Sequence, residues 1–204
     1  MQDISKKSKE ETSFLDSVKI NVYEFASVII TAIVAISIIF TFVFRIVGVV
    51  GTSMVPTLQD SDWLWVSAFN FKPRAGQVVI VTQPNWFDEP IVKRIIATEN
   101  QTVDINFTTG DVYVDGVLLD EPYINNRTIN NEGVQFPVTV PEDHVFVMGD
   151  NRQGSTDSRS DKIGFIREEY ILGEVKFKLY NLEKDDFTGK VKMNFYPPSE
   201  WKVD

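Results

Sequence analysis

Residues Phe25–Phe44 read FASVIITAIVAISIIFTFVF, twenty positions without a charge, bounded by Glu24 and Arg45. At a rise of 1.5 Å per residue such a helix extends about 30 Å, the thickness of a bilayer's hydrocarbon core. Its polar groups are Ser27, Thr31, Ser37 and Thr41, whose hydroxyls can bond back to the helix's own carbonyls. The run predicts a single transmembrane helix over 25–44. A cleaved signal peptide would carry a shorter apolar core and a small-residue cleavage site. Arg45-Ile-Val-Gly-Val-Val50 follows instead, so the expectation is a retained anchor. Basic residues set its orientation. Lys6, Lys7, Lys9 and Lys19 precede the run, whereas after Arg45 the next basic residue is Lys72. Residues 1–24 are therefore expected to form a cytoplasmic tail. Residues 45–204 are expected to form an extracytoplasmic domain of a single-pass cell-membrane protein, in contact with the lipid bilayer.

Composition narrows the chemistry open to that outer domain. The 204 residues include no Cys and one His. A thiol nucleophile, a disulfide framework and a Cys-based zinc site are excluded, as is the two-histidine H-E-x-x-H zinc motif. A hydrolase built on this chain takes His144 or a group other than His as its general base. His144 opens an apolar strand pattern, and no Asp-His-Ser order surrounds it, which favours a structural role. Lys+Arg total 20 and Asp+Glu 29, a net charge of −9. Residues 1–45 contain five basic and five acidic residues, so the whole excess falls on residues 46–204 of the outer domain. Nucleic acid is disfavoured as a partner, because its binders present basic surfaces.

Beyond the apolar run the pattern is that of short strands rich in β-branched and aromatic residues. Strands are expected at Ile46–Val50, Trp63–Ser67, Gln77–Thr82, Ile91–Thr98, Val103–Asn106, Val112–Val114, Val117–Leu119, His144–Met148 and Glu174–Tyr180. Asp115-Gly116, between two apolar runs, signals a tight hairpin whose two central residues need positive φ. The Asn-, Asp- and Gly-rich stretch of residues 104–141 reads as an inserted lobe. No helix is expected outside the membrane segment. Trp63-Leu64-Trp65 leans toward the core over a membrane-facing aromatic anchor. The fold class is therefore mainly β: one N-terminal transmembrane helix, then an all-β outer domain with a small β insertion lobe.

Three segments of that domain could carry chemistry. In Gly51-Thr52-Ser53-Met54-Val55-Pro56-Thr57-Leu58, Ser53 stands nine residues beyond Phe44, the end of the membrane run. Extended chain covers at most about 30 Å in nine residues, so Ser53 is expected to work at the bilayer surface. Gly51 permits close backbone approach and Pro56 stiffens the following turn; the competing reading is a plain juxtamembrane linker. In Pro90-Ile91-Val92-Lys93-Arg94-Ile95-Ile96, strand alternation puts Lys93 on one face with Ile91 and Ile95, and Arg94 on the other. Burial among isoleucines lowers a lysine pKa, and a neutral amine can act as a base toward a serine hydroxyl. A solvated Lys-Arg pair on an edge strand is the alternative. The third segment runs from Gly149 to Arg159 without an apolar side chain. There Asp150, Asp157 and Arg159 could form an ion-pair set with Arg94, unless the segment is only a polar surface turn.

Taken together, the three segments resemble the sequence boxes of type I signal peptidases, the membrane-bound serine–lysine proteases. Ser53-Met54-x-Pro56-Thr57 resembles the nucleophile box, Val92-Lys93-Arg94-Ile95-Ile96 the lysine box, and Gly149-Asp150-Asn151-Arg152 with Ser155, Asp157, Ser158 and Arg159 the last box. The resemblance spans about residues 25–180, and the single anchor is similar to that of Gram-positive members. It implies a signal-peptidase-type catalytic domain with Ser53 as nucleophile and Lys93 as general base. It further implies that Ser155 hydrogen-bonds the lysine amine, and that Arg94, Asp150, Asp157 and Arg159 form an ion-pair framework beneath. Gly51, Thr52, Met54, Pro56, Ile91 and Val92 would line the substrate and oxyanion region. Some relatives place a hydroxyl two residues before the nucleophile, where this chain has Gly51. The lysine box departs from its relatives at Ala97-Thr98-Glu99-Asn100-Gln101, and Arg74-Ala75-Gly76-Gln77 departs likewise.

The resemblance implies removal of signal peptides from secretory or surface-protein precursors after small-x-small, Ala-x-Ala-like motifs. It implies no metal and no cofactor, and a monomer is expected. A second reading is a specialised pilin-assembly relative, peptidase or chaperone, although the chaperones lack the dyad that Ser53 and Lys93 would supply. A third is a membrane-tethered β-rich binding module. Geometry separates the last from the first: a dyad needs Ser53 Oγ and Lys93 Nζ within hydrogen-bond reach, and separation beyond about 8 Å would favour the binding module.

Overall fold

The structure is a computed structural model that describes residues 21–37, 45–69, 71–82, 89–179, 183–184, 191–192 and 195–198. The chain divides into two units, Met1–Val43 and Phe44–Asp204. In the first, residues 21–37 are helical, with the Thr31 hydroxyl donating to the Ser27 carbonyl at 2.8 Å. Val28, Ile30, Ile33 and Ile36 on this helix are more than half exposed. The remainder of the expected span, residues 38–44, lies outside the described residues, as do residues 1–20 of the expected tail. Among the described residues no helix is long and apolar enough to cross a membrane.

The second unit is built of strands: β1 Arg45–Gly48, β2 Trp63–Ser67, β3 Val78–Val81, β4 Ile91–Thr98, β5 Thr102–Asn106, β6 Asp111–Val114, β7 Val117–Leu118, β8 Val138–Thr139, β9 His144–Met148, β10 Ile166–Arg167, β11 Ile171–Leu179, β12 Glu183–Lys184, β13 Val191–Lys192 and β14 Phe195–Tyr196. A 3₁₀ turn at Glu168–Tyr170 joins β10 to β11. The main sheet runs β1-β2-β11-β3-β4-β9-β10, with β14 also on β11. A second sheet runs β7-β6-β5-β8, and β12 and β13 pair with each other.

Side-chain patterning accounts for these layers. All four residues of β3, Val-Val-Ile-Val, are buried, as suits a central strand covered on both faces. In β5 and β6 burial alternates, and Val103, Ile105, Val112 and Val114 turn inward. They pack with Ile96, Ala97, Phe146 and Met148 of β4 and β9 into one core cluster that joins the two sheets. A second cluster gathers Met54 and Leu58 against Leu64, Val66, Val78, Ile80 and Val175. Full burial of each such side chain contributes about 1.5–3 kcal/mol. It is this packing of Met54 and Leu58 that fixes the Ser53 loop on the sheet.

The expected strands formed, each within two residues except at β11, which begins at Ile171, three residues before the expected Glu174. The Asp115-Gly116 turn has φ of 52° and 77°, the two positive values its hairpin requires. The Trp63-Leu64-Trp65 expectation needs correction. Leu64 is fully buried, whereas Trp63 is 50% exposed, because neighbours on a strand point to opposite faces. His144 is half-buried, with Nδ1 2.6 Å from the Glu142 carbonyl oxygen, as its structural reading expected.

Candidate active site

Strand β4 sets the site. Lys93 pairs with Val79 across β3, and Arg94 pairs with Val78 on one side and Met148 on the other. Cross-strand partners share a face, so Lys93 lies on the face of Val79, Ile91 and Ile95, and Arg94 on the opposite face. The Lys93 side chain is 3% exposed. Its pKa is lowered from 10.5 to about 8. Burial is the main cause; Asp157 opposes it and Arg159 adds to it. Ser53, on the loop after β1, is brought to the lysine: Nζ lies 2.8 Å from Oγ. That is hydrogen-bond reach, far inside the separation at which a binding module would be favoured.

The Gly149–Arg159 segment locks the serine loop in place. The Asn151 N–H donates to the Ser53 carbonyl at 3.0 Å, and Asn151 Nδ2 donates to the Thr52 carbonyl at 3.1 Å. The Ser53 N–H has no acceptor among the described residues, so it is open to another oxygen. Gly51 has φ of 92°, its N–H donates to Asp60 Oδ1 at 2.8 Å, and the space where a Cβ would project is open. Thr52 is exposed and Pro56 half-buried. Met54 belongs to the core cluster, while Ile91 and Val92 are half-buried on opposite faces of the strand.

Gly149 is the closest point between the segments. A Cβ on it would stand 2.3 Å from Ser155 Oγ and 2.4 Å from the Ser53 carbonyl oxygen. Backbone on one side and a buried hydroxyl on the other leave no room to relax. Gly149→Ala is therefore expected to push the Ser53 loop off Lys93 and reduce peptide cleavage at least 100-fold, about the cost of an ångström's misplacement. A variant with more than a tenth of wild-type kcat/KM would show that the approach is not limiting.

Two buried bidentate ion pairs lie beneath. Arg94 donates from Nε to Asp150 Oδ1 at 2.8 Å and from Nη2 to Oδ2 at 2.6 Å. Arg159 donates from Nε and Nη2 to the two Asp157 oxygens, each at 2.8 Å. Asp157 Oδ2 also accepts the Gly149 N–H at 2.9 Å and the Ser155 hydroxyl at 2.8 Å. The sequence expectation had Ser155 bonded to the lysine amine. Here the Ser155 hydroxyl donates instead to Asp157, two residues along, and among the described residues the amine's hydrogen-bond partner is Ser53.

Several residues of this framework went unanticipated. The Thr57 hydroxyl donates to Asp150 Oδ2. Tyr123 lies under Arg94, whose guanidinium carbon is 3.9 Å from the ring centre. Arg152, fully buried, donates to Glu121 Oε2 at 2.9 Å and to Thr128 Oγ1 at 2.7 Å. Glu132 stands 3.3 Å from Arg159 Nη2, its carboxyl pushed up by burial and by Asp157. Thr57 belongs to the serine segment and could have been found from its motif. Glu121, Tyr123, Thr128 and Glu132 come from the 104–141 stretch, and no spacing pattern there signals a buried partner. Among the described residues no group of three or more His, Asp or Glu could hold a metal ion.

Comparison with known proteins gives this arrangement its context. The family described as signal peptidase, peptidase S26 matches residues 22–180. Signal peptidase I of Bacillus amyloliquefaciens is 35% identical over 187 residues, covering 86% of this chain and 95% of the relative. Signal peptidase I S of Bacillus subtilis is 33% identical over 175 residues, covering 80% of this chain and 92% of the relative. A probable signal peptidase I-1 of Synechocystis is 35% identical over 138 residues, 63% of this chain and 67% of the relative. With a match that runs through the Ser53, Lys93 and Gly149–Arg159 segments alike, the chain belongs to the signal peptidase, peptidase S26 family and is a serine peptidase.

Proposed function

We propose that the protein is a membrane-anchored signal peptidase I in which Ser53 is the acylating nucleophile and Lys93 its general base. The 2.8 Å approach of Lys93 Nζ to Ser53 Oγ carries the reading. A buried amine with a pKa near 8 is neutral in a useful fraction of molecules at physiological pH, and a base is most effective when its pKa lies near the working pH. Neutral Lys93 takes the Ser53 proton as Oγ attacks the scissile carbonyl. The tetrahedral oxygen then accepts the free Ser53 N–H. Lys93 gives its proton to the departing amine, and on returning to the neutral form it activates the water that releases the acyl group. The two ion pairs hold Gly149 and Asn151, and through them the serine loop, in the reactive position. With Gly51 in place of a hydroxyl-bearing residue, a second oxyanion donor comes from water or from the substrate-bound backbone.

The substrate is an extended peptide with small side chains at the first and third positions before the cut. Strand β4 supports this: β9 covers it only from Arg94 onward. On that side Ile91–Lys93 have no strand partner among the described residues, which suits pairing with an added strand. Exposed apolar residues on the 21–37 helix, which water penalises, support continuation of that helix into a single membrane span over 25–44 with the tail inside. Anchorage of enzyme and precursor in one bilayer raises their effective concentration. The test is cleavage of a panel of precursors by the full chain in detergent or lipid. Cuts confined to small-x-small junctions support the reading; cuts indifferent to those side chains, or none, overturn it.

A further inference from the structure

A cleft of about 390 Å³ opens at one end of the main sheet, lined by Ser67, Phe69, Phe71, Lys72 and Arg74 from the β2–β3 connection and by Glu174 and Lys176 of β11. Its charge is unusual for this molecule. Residues 46–204 of the outer domain carry the whole excess of −9, yet three cations converge here with one carboxylate. That carboxylate, Glu174, is engaged by Lys176. Lys72 and Arg74 are both exposed and have no ion-pair partner among the described residues. Beside them Phe69 is 74% exposed, an apolar side chain at the mouth of a cationic cleft.

Register places this cleft next to the point where the chain enters the sheet. Arg45 pairs with Val66, and Ser67 pairs with Glu174. Paired Cα atoms lie about 5 Å apart and consecutive ones 3.8 Å, so the cleft's rim is within about 10 Å of Arg45. Arg45 directly follows the apolar run that ends at Phe44. If that run ends at the hydrocarbon boundary, Arg45 lies among the headgroups, and so does the rim.

We propose that this cleft binds the phosphate of an anionic phospholipid headgroup, with Lys72 and Arg74 as its cationic ligands and Phe69 dipping into the acyl boundary. The inference rests on the membrane-anchored reading above. An acidic domain tethered by a short connection would otherwise be repelled from an anionic surface, and two unpaired cations beside the tether reverse that sign locally. Lipid is favoured over an acidic peptide because an exposed aromatic flanks the cations and because Arg45, the residue that directly follows the apolar run, lies within about 10 Å of the rim. The same row of the sheet continues from Ser67 through Glu174 and Val79 to Lys93, so docking here sets how the Ser53–Lys93 pair is presented to a precursor emerging from the bilayer.

Absence of Cys makes the test direct. Ala68→Cys, at an exposed position between Ser67 and Phe69, accepts a single environment-sensitive fluorophore in the full chain. Reconstituted protein is compared in vesicles of phosphatidylcholine alone and of phosphatidylcholine with phosphatidylglycerol. The expected result is a blue shift only with phosphatidylglycerol. Lys72→Gln/Arg74→Gln should weaken the affinity for the phosphatidylglycerol surface about 25-fold, taking roughly fivefold per basic residue, and so move the half-shift point to a much higher phosphatidylglycerol fraction or abolish it, while cleavage of a short peptide in detergent stays unchanged. Equal emission in both lipids, or an unshifted midpoint in the double variant, overturns the proposal. So does a blue shift produced by inorganic phosphate in phosphatidylcholine vesicles, which would make the site one for free anions. Resistance to alkaline carbonate extraction separates the two levels. Release of the whole chain sinks the anchored reading and this one with it, whereas retention without a lipid-dependent shift sinks this one alone.

Discussion

Ser53→Ala and Lys93→Ala should each reduce kcat/KM toward a small-x-small precursor by about 10⁴-fold or more, the scale seen when a nucleophile or its paired base is removed. The two losses should not add, because each substitution disables the same proton transfer. Lys93→His should not rescue activity. Nζ reaches Ser53 Oγ from the end of a four-carbon stem on β4, and an imidazole on the same strand stops short of it. Stability separates this outcome from simple unfolding. With its pKa lowered from 10.5 to about 8, Lys93 is protonated more readily in the unfolded chain than in the folded one. Its burial therefore costs about 3 kcal/mol below pH 8, a cost that fades between pH 8 and 10.5 and vanishes above that. Lys93→Met should accordingly melt at or above the wild-type temperature while remaining inactive. Wild-type-like cleavage by either Ala variant would remove Ser53 and Lys93 from the mechanism.

The reason Lys93 could be anticipated is its place in a strand. Alternation alone put it with Ile91 and Ile95 and put Arg94 across the sheet, and the structure has both side chains on those faces. The polar segment after an apolar strand pointed to acidic partners for Arg94 without choosing between Asp150 and Asp157; the structure has Asp150. The Asp115-Gly116 turn was legible because positive φ at two successive residues is a local demand that few residues meet. Ser155 was placed correctly but its bond was not. Which acceptor a hydroxyl chooses is decided by competition within a few tenths of an ångström, and Asp157 wins it here. The support from Glu121, Tyr123, Thr128 and Glu132 was not legible at all. These residues sit in loops without periodicity, and they meet Arg94, Arg152 and Arg159 only because the second sheet folds back over β4 and β9. Short strands such as β8 and β10, two residues each, likewise carry too little pattern to be read before their partners are known. Trp63 shows the opposite failure, an aromatic residue whose composition suggests burial while its register turns it outward.

Activity should rise with pH through about 8, the value to which burial lowers the Lys93 amine. The sign follows from the proposed chemistry: with the neutral amine as base, the active fraction falls tenfold for each pH unit below the midpoint and is constant above it. For a peptide without titrating groups, kcat/KM between pH 6 and pH 8 should therefore change by about 50-fold, reporting the free enzyme's base. A carboxylate base would hold its activity well into the acid range and an imidazole base down to about pH 6.5, because those groups remain deprotonated to their ordinary values. The distinction is sharp in this chain, since His144 bonds the Glu142 carbonyl and the carboxylates nearest Lys93 are held by Arg94 and Arg159. Charge around the amine also fixes what salt should do. Asp157 and Arg159 act on Lys93 with opposite sign from inside the protein, where added ions screen little. The midpoint should move little between low and high ionic strength, whereas a base exposed to solvent would shift. A profile flat from pH 9 down to pH 6 rules out an amine base, and a midpoint that slides with salt would mean that the titrating group lies outside the buried pair.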